Sequence, residues 1–89
     1  MAVVKKEIVV KNKLGLHARP AALFVQIANK FEASISVIRN DEKVNGKSIM
    51  GILMLGVEKD TPITIEADGQ DAELALVELE KLVSSEEEL

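Results

Sequence analysis

His17 is the only histidine in the chain, and Ala18, Arg19 and Pro20 follow it directly. An imidazole titrates near neutrality and is a nucleophile when neutral. Pro20 suits the first turn of a helix, where its missing N–H leaves no helical bond unmade, so a helix is predicted to begin beside His17. A helix start offers unpaired N–H groups and a positive dipole end, both of which attract an anion. Arg19 adds a permanent cation whose planar fork matches phosphate oxygens. Together these groups describe a place that accepts, holds and releases a phosphoryl group. A helix end contributes about 0.3–1 kcal/mol to a nearby exposed anion, enough to steady the group without trapping it. The plainer alternative is that His17 merely caps the helix and Arg19 is a solvated surface charge.

Other chemistries find little to work with. There is no Cys, which excludes disulfides, thiolate metal sites and Cys nucleophiles. No second histidine or carboxylate accompanies His17 at metal-ligand spacing, so neither a metal nor a cofactor is expected. No G-x-S-x-G elbow is present, which removes the common serine-hydrolase arrangement. The net charge of −4 is unevenly placed, residues 1–59 being basic and residues 60–89 acidic. The basic part has no aromatic interleaving and no dense Lys/Arg stripe, so nucleic acid is not an expected partner. One mildly positive surface and an acidic C-terminal helix are the better reading of that asymmetry. No apolar run approaches the roughly 20 residues needed to span a bilayer, so membrane insertion is not expected. The start, Met1-Ala2-Val3-Val4-Lys5-Lys6, lacks the charged and long apolar regions of a secretory signal, and a cytoplasmic location is the expectation.

The elements that must position His17 follow from hydrophobic period. With 89 residues, 47% of them hydrophobic and only 2% aromatic, the chain is read as one small domain, 1–89, with a core of Val, Ile, Leu, Ala and Met. Residues 3–11 read as a strand with Val4, Ile8 and Val10 on one face and Lys6 interrupting it. Residues 12–16 are a turn in which Gly15 is free to take positive φ. Over 18–31, Phe24, Ile27, Ala28 and Phe31 recur at helical spacing. Residues 33–39 alternate as a strand, 40–42 turn, and 43–45 are extended. Ser48 stands before Ile49, Ile52 and Leu53, with Gly56 at the far end, which predicts a short capped helix. Residues 61–67 alternate again. Ala72, Ala75, Leu76, Leu79, Leu82 and Val83 make a last helical stripe, followed by a tail from Ser84 to Leu89 read as a frayed, solvated end. The order β-α-β-β-α-β-α implies an α+β two-layer sandwich, without fixing the strand order.

Two stretches carry a resemblance. Gly15-Leu16-His17-Ala18-Arg19-Pro20-Ala21-Ala22 and Lys47-Ser48-Ile49-Met50-Gly51 closely resemble the two signatures of the HPr family, the histidine-containing phosphocarriers of the bacterial phosphoenolpyruvate-dependent phosphotransferase system. The resemblance covers essentially the whole chain. It implies an open-faced sandwich, a four-stranded antiparallel sheet covered on one side by three helices. It implies that His17 is phosphorylated on Nδ1 and that Arg19 steadies the phosphoryl group. Enzyme I is the implied donor and enzyme IIA proteins the implied acceptors, the chain being a stoichiometric carrier rather than an enzyme. No cofactor is implied, and the family suggests a monomer.

Ser48, an N-cap on its own chemistry, is by resemblance also a regulatory phosphorylation site for HPr kinase/phosphorylase. Ile49, Met50 and Leu53 fall on a helix too short to bury every side, so part of the cluster is expected to be exposed and, by resemblance, to dock partners. Leu14 stands where sugar-system members commonly have a small polar residue. Asn12-Lys13-Leu14-Gly15 and Arg39-Asn40-Asp41 look similar to the nitrogen-type branch, whereas Lys47-Ser48-Ile49-Met50-Gly51 is like kinase-regulated members. A second functional expectation is therefore a regulatory binding module acting through Ser48 and the Ile49/Met50 patch.

Overall fold

The structure, a computed structural model, describes residues 3–86. Met1 and Ala2 of the apolar start and residues 87–89 of the acidic tail lie outside the described residues. Seven elements run in the order β1 (Val3–Val9), α1 (Ala18–Ala28), β2 (Ser34–Arg39), β3 (Glu42–Asn45), α2 (Ile49–Met54), β4 (Pro62–Asp68) and α3 (Ala72–Ser84). The strands form one antiparallel sheet in the order β1-β4-β2-β3. The three helices cover one face, giving the expected open-faced sandwich.

Strand period decides which side chains meet the helices. Val4, Ala67 and Ile35 lie side by side across β1, β4 and β2, and Ile65 is flanked by Val37 on β2. Ile35, Val37, Ile63, Ile65 and Ala67 are buried against Phe24, Ala28, Ile52, Ala75, Leu79 and Val83 from the helices. The opposite face alternates to Ser36, Lys43, Thr64 and Glu66. Lys6, the interruption in the apolar face of β1, pairs with Ile65 on that inner side but sits on an edge strand. Its stem reaches past the core to an ion pair with Glu80 of α3 at 2.8 Å, as long amphipathic side chains do.

Several boundaries differ from expectation for local reasons. α1 stops at Ala28, not Phe31, because Lys30 N–H and Phe31 N–H donate to the carbonyls of Ile27 and Ala28, three residues back. Phe31 still packs half-buried on the core. β3 begins at Glu42, leaving a tighter turn in which Asn40 takes φ +54°, a conformation Asn tolerates. The frayed tail is overturned for Ser84 and Ser85. Ser84 closes α3 with its hydroxyl donating to Glu80 O at 2.7 Å. The Asn12 amide donates to Leu82 O and Ser85 O at 3.1 and 3.0 Å, supplying partners to helix-end carbonyls that otherwise lack them.

Asp71 holds the end of the sandwich where α1 turns into β2. It precedes α3 at the N-cap position, yet its carboxylate does not cap that helix. It accepts from Glu32 N–H and Ala33 N–H, both at 2.9 Å. The Glu32 bond is the largest of the influences that hold its pKa below the usual aspartate range; Ala33 N–H and the nearby Lys47 ammonium act the same way, against a partial opposing effect of burial. Lys47 in turn donates to Phe31 O at 2.7 Å. A carboxylate with a lowered folded pKa stabilises the fold above the unfolded value, and that contribution is lost as pH falls through the folded value. Asp71→Asn removes this titration. The wild-type urea midpoint is therefore expected to fall more steeply between about pH 5 and pH 2 than that of Asp71→Asn. Parallel declines would show that Asp71 does not carry the acid sensitivity.

Candidate functional site

The connection between β1 and α1 is shaped by backbone bonds. Gly15 N–H donates to Asn12 O at 3.0 Å, closing a turn in which Gly15 takes φ +70°. Leu16 N–H donates to Val57 O at 2.9 Å, and the Leu16 side chain is buried. On the facing loop, Thr61 N–H donates to Glu58 O at 3.2 Å around Asp60, whose φ is +70°. Val10 N–H donates to Thr61 O at 2.9 Å and Asp60 N–H to Val10 O at 2.7 Å. The Lys11–Asp60 ion pair, 3.0 Å, adds an exposed tie worth little by itself. The 57–61 loop is thus fastened to the 10–16 loop at both ends.

His17 emerges from this double loop as the N-cap residue of α1, with φ −89° and ψ −162°. Its carbonyl accepts the first helical bond, from Ala21 N–H at 2.7 Å. His17 occupies the cap position, but its side chain makes no capping bond. The ring is exposed, as are Ala18 and Arg19, whereas Pro20 and Ala21 are buried. Pro20 has no N–H and Ala21 N–H is taken by His17 O, so within the first turn the N–H groups of Ala18 and Arg19 have no helical partner. Among the described residues, no hydrogen bond or ion pair engages the Arg19 guanidinium. A shallow recess of about 360 Å³ opens beside the imidazole and is lined by Lys13, Leu14, His17, Glu58 and Lys59. Arg19 does not border it. A larger recess, about 620 Å³, lies at the far end of the sheet around Asp68 and Asp71, lined by Glu32 and Ser34 as well and holding no histidine. Among the described residues no cluster of three His, Cys, Asp or Glu could hold a metal.

α2 is the second feature the sequence singled out. Six residues are too few to make a stable helix by propensity alone. Ser48 caps its start, its hydroxyl accepting from Gly51 N–H at 3.1 Å. Arg39 closes its end from β2, donating to Leu55 O at 2.6 Å and Gly56 O at 3.3 Å. That places a cation where helix carbonyls point. Of the helix's side chains only Ile52 is fully buried. Met50 is 64% exposed and Met54 76%, with Ile49 and Leu53 nearer 40%. The cluster expected to be partly exposed thus reaches solvent at Ile49, Met50 and Leu53, with Met54 beside them. Asn12, Arg39 and Asp71 were not read from the sequence as structural residues, since their partners lie tens of residues away.

The class that these features define is an α+β open-faced sandwich with one exposed histidine at a helix start and a short capped helix of exposed apolar residues. Residues 4–85 match the family described as PTS HPr component phosphorylation site. The chain is 46% identical over 81 residues to the phosphocarrier protein HPr of Neisseria meningitidis serogroup A, covering 91% of each. Its structure resembles the crystal structure of HPr from Bacillus anthracis (49% identity, 93% and 99% of the two chains, TM-score 0.90). It also resembles Bacillus subtilis Crh, a catabolite repression protein solved as a swapped dimer (44% identity, 93% and 95%, TM-score 0.76). The chain belongs to the HPr family of phosphotransferase-system phosphocarriers. Among the described residues no helix is long and apolar enough to cross a membrane.

Two substitutions test how the site is held. A Cβ on Gly15 would lie 2.3 Å from Val57 O and 2.6 Å from Glu58 Cα, so the loops approach each other too closely for any side chain. Gly15→Ala is expected to destabilise the fold by about 1–3 kcal/mol, from left-handed strain and this collision, read as a lower midpoint in urea. Ser48→Ala is expected to cost about 1 kcal/mol by the same measurement. An unchanged midpoint would show that Gly51 N–H finds another acceptor.

Proposed function

We propose that this chain accepts a phosphoryl group on His17 from phosphorylated enzyme I and hands it to an enzyme IIA protein of a sugar or nitrogen-type system. The observation that carries this reading is the exposed imidazole at the start of α1, held by backbone bonds and free of any capping bond. In the step, the lone pair of neutral His17 Nδ1 attacks phosphorus. The new N–P bond forms as the donor's bond to phosphorus breaks, and that electron pair stays with the donor. The onward step reverses these roles at the acceptor. Such transfer needs positioning and charge stabilisation more than covalent machinery. Arg19 and the two N–H groups of the first turn that lack a helical partner supply that stabilisation, and Leu14 adds no hydrogen bond. Ile49, Met50 and Leu53 form the docking surface that successive partners share, the unbranched and flexible Met50 suiting more than one shape.

A second reading is favoured by the same α2 surface and by the likeness to Crh. In it, Ser48 is phosphorylated and the α2 patch engages a regulatory partner. The two readings are compatible. A phosphate on Ser48 brings about −1.5 to −2 charges and would repel an incoming phosphoryl donor.

Incubation with enzyme I and labelled phosphoenolpyruvate separates them. The carrier reading expects acid-labile, alkali-stable label that disappears in His17→Ala. It also expects transfer slowed roughly tenfold in Arg19→Ala, the scale of one exposed charge-assisted contact. Absence of label in the intact chain would leave only the regulatory reading.

A further inference from the structure

The recess beside His17 is bordered by groups to which the carrier reading assigns no part. Lys13, Glu58 and Lys59 line it together with Leu14 and the imidazole. A phosphoryl group on the ring brings close to two negative charges to its mouth. Leu14 offers no polar atom there, and Glu58 opposes the charge. Lys13 is already engaged in an interaction of its own. Lys59 is exposed, and among the described residues no hydrogen bond or ion pair engages its ammonium. Its backbone is the second residue of the Glu58–Thr61 turn. The Leu16–Val57 bond holds one side of that turn, and the Val10–Thr61 and Asp60–Val10 bonds hold the other. A flexible four-carbon stem on a fixed base lets a compact cation follow a charge that arrives and leaves.

We propose that Lys59 supplies positive charge to the phosphoryl group on His17 from the side of the recess. It acts there in place of the hydrogen bond that Leu14 cannot give, and separately from Arg19. This inference rests on the carrier reading. The group-transfer step is unchanged: phosphorus moves from donor to His17 Nδ1, and Lys59 forms no bond to it.

Phosphoramidate phosphorylates histidine without a protein donor, so it reports on the site apart from docking. The intact chain, Lys59→Gln, Lys59→Arg, Glu58→Gln, Lys43→Gln and His17→Ala are compared by the initial rate of phosphohistidine formation, followed by phosphorus NMR. At low salt, Lys59→Gln is expected to react about three- to tenfold more slowly than the intact chain, the scale of one partly solvated charge. Lys59→Arg keeps the intact rate, and Glu58→Gln reacts faster. Lys43, on the open face of the sheet and paired with Glu66 at 3.2 Å, controls for net charge, and its Gln variant keeps the intact rate. In about 1 M salt the Lys59→Gln difference should close, because exposed charges are screened over about 3 Å. A purely structural effect would survive salt. Equal rates for Lys59→Gln and the intact chain would overturn the role of Lys59 and leave the carrier reading standing. So would an equal loss in Lys43→Gln, or an Arg variant as slow as Gln. If the intact chain forms no phosphohistidine that His17→Ala abolishes, both fall.

Discussion

The backbone seam between the 10–16 and 57–61 loops is the constraint on which the site depends. A surface histidine on an ordinary loop would sample many orientations, and a buried one could not meet a second protein. Here the Leu16–Val57 bond and the paired bonds between Val10, Asp60 and Thr61 fix the chain on either side of the recess. The buried Leu16 side chain anchors the residue immediately before His17. The imidazole is left outside, on a support held by main-chain hydrogen bonds and the buried Leu16 side chain. A carrier acting through His17, as proposed above, would lose less backbone entropy in positioning the ring.

α2 shows a related division of labour. A six-residue helix that buries only Ile52 fully gains little from the core. It persists because polar groups serve both ends: the Ser48 hydroxyl at the start, and the Arg39 guanidinium reaching across from β2. Stability drawn from the caps frees the sides, so Met50 and Met54 remain available to solvent. The apolar surface there exists because packing is not required of it.

Much of this was legible in the sequence, for identifiable reasons. The strands and helices follow from period-2 and period-3.6 patterning, and Ser48 and Gly56 marked the short helix by local chemistry alone. His17 stood out because its neighbours on either side, Gly15 and Pro20, dictate a turn and a helix start. What patterning could not convey was pairing. It says that Ile35 and Ile65 face inward, but not that β4 lies between β1 and β2. Nor could it assign Asn12, Arg39 and Asp71, ordinary polar residues by local context. Their partners stand 70, 16 and 38 residues away. Lys59 is the same kind of case, a surface lysine until folding brings its turn to the imidazole.

The close approach at Gly15 has a consequence for how such a surface can diversify. Where main chain meets main chain with no room for a Cβ, the course of the backbone beneath the imidazole is set by Gly15 and the main chain of Val57 and Glu58 rather than by the side chains of residues 13, 14, 58 or 59. Those four can change size, polarity or charge while the backbone under His17 stays where it is. The charge and shape presented to the ring can thereby be retuned without rebuilding the backbone that carries it.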